Sequence, residues 1–267
     1  MSSSLIPLGF KIYYLIAPLI GTIGNTLVVY GTLKTLHLRS TCNVMIAIVS
    51  FSDMIHQFGW VITVISHEIL SDHVMLMRDC LYWETPSLFS ICFSLVLLLG
   101  IAIDRLLSLQ SFYKPVIEAR KFTYIFVQCI LPTVFGLLIL IWVYSAELPS
   151  EKSVCTVSMP LRGTVYVVFM SVMVSSSIAI IFCYAVFLTN IKRKGIGSNN
   201  KRSIYRSLII ISMTVVFGWL STAVSSITLQ LLNLNVDRFM IKMISGIFSN
   251  FACACNFFVY YTVRQEF

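Results

Sequence analysis

Seven apolar runs, each about as long as a helix must be to cross a bilayer core of roughly 30 Å, divide this chain from one end to the other. They cover approximately residues 12–33, 43–66, 80–106, 123–145, 164–190, 205–232 and 240–262. A soluble core buries apolar residues in shorter stretches broken by polar turns, so runs of this length point to lipid as the solvent. In hydrocarbon every backbone N–H and C=O must be satisfied within its own segment, and each run is therefore predicted to be an α-helix. Hydrophobic residues make up 58% of the sequence and charged residues 11%, with a mean hydropathy of +0.88, which excludes an ordinary water-soluble domain. The expected fold is an all-α membrane protein, a single seven-transmembrane helix bundle spanning residues 1–267.

The basic residues orient it. Of 19 Lys and Arg, 13 fall on one side of the predicted bundle and 6 on the other. The positive-inside rule puts the richer side, with the loops 34–42, 107–122 and 191–204 and the carboxy terminus, in the cytoplasm. An odd number of spans then leaves the amino terminus extracellular. The first residues carry no basic n-region, so the first run reads as a signal anchor rather than a removed signal peptide. The net charge of +8 is accounted for by this topology; without a long basic arm or a nucleic-acid-binding motif, the expected partner is the lipid bilayer and not nucleic acid.

Polar residues inside a span are costly, about 2.5–3.5 kcal/mol for a charge at the helix centre on insertion scales, and are functional candidates for that reason. Asp53 lies mid-span in the second run, in IAIVSFSD. It reads either as a packing residue hydrogen-bonded to its neighbours or as a buried polar switch. The third run extends from Cys80 to Asp104-Arg105, 25 residues or roughly 38 Å of helix at about 1.5 Å per residue, so the two ends lie at opposite membrane faces. Most of the eight cysteines lie within apolar runs and show no zinc-ligand spacing. Cys80 and Cys155 differ, both falling beside extracellular loops where a bridge would persist; a bond between them and two free thiols are both open on spacing alone.

In order and spacing, Gly24-Asn25, Asp53, Cys80, Asp104-Arg105-Leu106, Cys155 and Asn256-Phe257-Phe258-Val259-Tyr260 resemble the pattern of rhodopsin-like G-protein-coupled receptors. Phe217-Gly218-Trp219 and the run at 256–261 are most similar to nematode serpentine chemoreceptors of class SX. The sequence departs from the general pattern at Leu106, where Tyr is usual, and at Phe257 and Ser221, where Pro is usual. The resemblance implies a chemosensory receptor of the plasma membrane or a sensory cilium that binds an extracellular small molecule or peptide. It would activate a heterotrimeric G protein through the cytoplasmic ends of helices 3, 5 and 6. It further implies a Cys80–Cys155 disulfide and an activation switch at Asp104, Arg105, Leu106, Asn256 and Tyr260. Asp53, Ser94 and Asn256 would form an allosteric sodium site, with no other cofactor expected. A ligand pocket would be built from Trp60, Glu84, Ser87, Leu88, Ile91, Trp219, Ser226, Gly246 and Asn250.

A seven-helix transporter or channel without G-protein coupling is the rival class, but no internal repeat and no paired broken helices support it. Catalysis is not expected: the sequence has no HExxH, no GxSxG and no intramembrane pair of aspartates.

Overall fold

The structure, a computed structural model, describes residues 6–36, 39–146, 152–193, 216–229 and 238–265. Seven helices are present among them: α1 (Leu8–Lys34), α2 (Thr41–Ile69), α3 (Met77–Leu107), α4 (Tyr113–Ser145), α5 (Gly163–Arg193), α6 (Val216–Leu229) and α7 (Arg238–Gln265). The first five are long and apolar enough to cross a membrane, and among the described residues the apolar stretches of α6 and α7 are Val216–Leu229 and Phe239–Cys255. Residues 205–215 and 230–232 of the expected sixth span lie outside the described residues.

Helix α3 forms the axis of the bundle. Its inner positions Leu81, Leu88, Cys92, Leu95, Leu98 and Ile101 recur at the three- and four-residue spacing of one helical face and join the main core cluster. Leu97 and Ala102, off that stripe, are also buried, because α3 packs against α2, α4 and α5 at once. The most apolar stretch of α3 is 67% buried against only 22% for α4, which presents most of its surface to lipid. Close helix approach depends on small residues. A Cβ on Gly59 of α2 would strike Glu84 and Ser87 of α3, so only glycine permits this contact.

The connection 107–122, expected as a cytoplasmic loop, is largely helical. Helix α4 starts at Tyr113, with Pro115 in its first turn where a missing N–H is tolerated, and is broken at Arg120 (φ −142°, ψ 47°). A short cytoplasmic segment therefore precedes the span proper, folded against the end of α3.

At the outer end, β1 (Met75–Leu76) pairs antiparallel with β2 (Lys152–Ser153), joining the α2–α3 connection to the second extracellular loop. Cys80 and Cys155 are disulfide-bonded, with Cα atoms 5.4 Å apart, and tie the same loop to α3. A second apolar cluster, including Ile6, Tyr14, Trp60, Val154, Val157 and Met243, fills the space beneath it.

Candidate functional site

The cytoplasmic end of α3 holds a buried ion pair. Asp104 is fully buried and the Arg105 side chain is only 11% exposed. Arg105 donates from Nε to Asp104 Oδ2 at 3.0 Å and from a terminal guanidinium nitrogen to the same oxygen. The second carboxylate oxygen accepts from the Tyr113 hydroxyl at 2.7 Å and from the Tyr124 hydroxyl at 2.8 Å, and Gln128 in turn donates to Tyr124 at 3.1 Å. Two adjacent charges in a low-dielectric setting are tolerated only when their remaining hydrogen-bonding capacity is met, and here the two phenols complete the carboxylate's shell. Leu106 is half-buried and contributes no polar atom.

Halfway across the bundle, the Ser94 hydroxyl donates to Asp53 Oδ1 at 3.0 Å, joining α3 to α2 at a fully buried point. The Cys253 thiol of α7 faces the same carboxylate. Asn25 does not bond to Asp53; its amide donates to the Cys253 carbonyl at 3.2 Å and joins α1 to α7. The side chains of Asn256 and Tyr260 lie outside the described residues.

Nearer the outer end is a partly open cavity between α2, α3, α5, α6 and α7, with Val157 and Ser158 of the second extracellular loop in its wall. Five of the nine residues expected at a pocket line it: Trp60, Ile91, Trp219, Ser226 and Gly246. The other four lie elsewhere. Leu88 is core packing. Ser87 donates to the Ile55 carbonyl at 3.1 Å, and Glu84, fully buried, sits with it against Gly59. Asn250 accepts from Gln57 of α2 at 3.4 Å. For Glu84 and Ser87 the contact with α2 at Gly59 occupies their side of α3, and Asn250 on α7 is turned to Gln57 of α2.

The family model described as serpentine type 7TM GPCR chemoreceptor Srsx matches this chain over residues 18–267. The chain belongs to that family. No curated protein matches it. Membership makes it a multi-pass membrane protein and a chemosensory G-protein-coupled receptor, a class of receptors and not of enzymes.

Sequence reasoning missed several residues of this Srsx receptor's cavity and of the cluster around Asp104. Lys242 and His56 line the cavity, the former donating to the Ser158 carbonyl at 2.7 Å. Both are polar residues at the edge of or within an apolar run, a signal that was present. Tyr113 and Tyr124 gave no such signal, since a tyrosine near a membrane interface is ordinary.

Proposed function

We propose that this Srsx receptor binds an extracellular small molecule or peptide and activates a heterotrimeric G protein through the cytoplasmic ends of α3, α5 and α6, at the plasma membrane or a sensory cilium. The observation that carries the reading is the enclosure of Arg105 by Asp104, Tyr113 and the end of α3. A guanidinium held this way is withheld from any incoming partner. Rearrangement that frees it creates a cationic floor on the cytoplasmic face. A ligand favours that arrangement only by its differential affinity for the two states.

Asp53 and Ser94 supply two oxygen-bearing groups at one buried point, a donor set that fits a hard cation such as sodium, with Asn256 as the expected ligand from α7. When bound, the ion contributes positive charge beside Asp53; the residues themselves hold α2 and α3 together.

The decisive experiment is a G-protein dissociation assay in heterologous cells carrying a panel of Gα subunits, challenged with odorants, pheromone-like metabolites and short peptides. Arg105→Ala should reach the cell surface normally and give no G-protein response. Full signalling by Arg105→Ala, or ligand-dependent ion flux with no G-protein activation, would sink the proposal.

A further inference from the structure

The polar wall of the outer cavity specifies the charge of the molecule that fills it. Among the described lining residues there is no Asp or Glu, and Lys242 is the one with a permanently cationic side chain. Glu84, in the outer half of α3, is fully buried against Gly59 of α2 and does not line the cavity.

Hydrogen-bonding capacity points the same way. Three lining hydroxyls already donate to helix carbonyls: Thr222 to Gly218 at 2.9 Å, Ser245 to Ile241 at 2.8 Å and Ser249 to Gly246 at 3.1 Å. The indole N–H groups of Trp60 and Trp219 are buried without any hydrogen-bond partner. These side chains are 2–3% exposed. A buried donor with no acceptor is unfavourable, and two such indole donors among the lining residues are complemented by a ligand that carries acceptors. Facing them are Ile91, Phe169, Met170 and Met173, an apolar and adaptable wall.

We infer that this cavity takes a compact monocarboxylic acid, its hydrocarbon or aryl body against α3 and α5 and its carboxylate on the Lys242 ammonium. Lys242 is already engaged by the Ser158 carbonyl at 2.7 Å and by the Met159 sulfur at 3.4 Å. The inference does not need it to be free, because its positive charge persists beside the cavity whatever else it touches. The assignment rests on the receptor reading above and gives the chemical class of its ligand.

The test uses the full-length receptor in lipid nanodiscs, titrated calorimetrically with two sets of probes: 4-phenylbutyrate, its primary amide and 4-phenylbutylamine; and octanoate, octanamide and octylamine. The acid in at least one set should bind about tenfold or more tightly than its amide, as loss of a charge-assisted contact implies, with the amine weaker than the acid. Lys242→Gln should bring acid and amide within about threefold of each other, whereas Lys242→Arg should keep the preference. If Lys242 mattered only by holding the loop, Lys242→Gln would weaken all probes alike and leave the acid-to-amide ratio unchanged; that result overturns the assignment. So does an amine or amide that binds as tightly as its acid, or the absence of saturable binding by both acids. Because binding is read without a G protein, acid binding with no cellular response counts against the signalling reading alone. Raised basal signalling by Asp104→Asn with no acid binding counts against the ligand class alone.

Discussion

The hydroxyl of Tyr113 donates to Asp104 Oδ1 at 2.7 Å, across the bend that joins α3 to α4. Burial and the adjacent Asp104 carboxylate hold the Tyr113 phenol above its ordinary titration range, so it remains a donor at physiological pH. Tyr113→Phe removes a hydrogen bond to a charged acceptor, about 1.5 kcal/mol or more, from the closed arrangement. If the open arrangement lacks this bond, basal G-protein activity should rise roughly tenfold. The measurement is ligand-free signalling at matched surface expression. Basal activity equal to wild type would mean that Tyr113 does not restrain Arg105.

Cys80→Ser releases the second extracellular loop from α3 by opening a bridge between residues 75 apart in sequence. Losing a native disulfide costs about 2–5 kcal/mol in small extracellular domains. The variant should show a lowered Tm in detergent and reduced surface receptor, and Cys155→Ser should match it, with the double variant no worse than either single one. Additive losses would mean that the two thiols act separately.

Gly246 is the point at which α7 passes the Trp60 ring. A Cβ there would collide with the Trp60 indole and lie 2.8 Å from the Tyr14 hydroxyl. Gly246→Ala should therefore destabilise the receptor by about 1–3 kcal/mol through overpacking. Trp60→Phe, which shortens the opposing ring, should recover part of that loss in the double variant. Thermal unfolding of the four receptors reads the coupling. Strict additivity would place the cost of Gly246→Ala elsewhere.

Replacing Asp53 with Asn keeps the shape and the hydrogen bond from Ser94 but removes the charge. If sodium binds there in the resting state, raising sodium at constant ionic strength should weaken agonist affinity in the wild type and leave Asp53→Asn unaffected. The comparison with N-methylglucamine as the replacing cation separates this from screening. Equal sodium sensitivity in both proteins would remove Asp53 from the site.

The spans were legible because hydropathy reports lipid exposure directly, and the two ends of α3 were legible because Cys80 and Asp104-Arg105 lie a membrane's thickness apart on one helix. The partners of those residues were not. Tyr113 and Tyr124 reach Asp104 only because α4 breaks at Arg120 and its first segment folds back under α3, a tertiary event with no periodicity to betray it. Lys242 counts in sequence as one more charge near an extracellular loop, and only the packing of α7 beside α1 and α2 brings it to the cavity wall. Glu84, Ser87 and Leu88, expected at a pocket, do not line this cavity. They lie on the inner side of α3, but the contact with α2 at Gly59 takes up the space in which a ligand would meet Glu84 and Ser87.

The second extracellular loop is fastened unevenly, and this bears on timing. One side is joined covalently to α3 and by strand pairing to the α2–α3 connection. Its contacts with α7 are reversible, a lysine–carbonyl bond and an apolar patch around Val157 and Met243. Loosening on the α7 side alone would swing the loop without detaching it, so the lifetime of these contacts limits how fast a molecule can enter or leave.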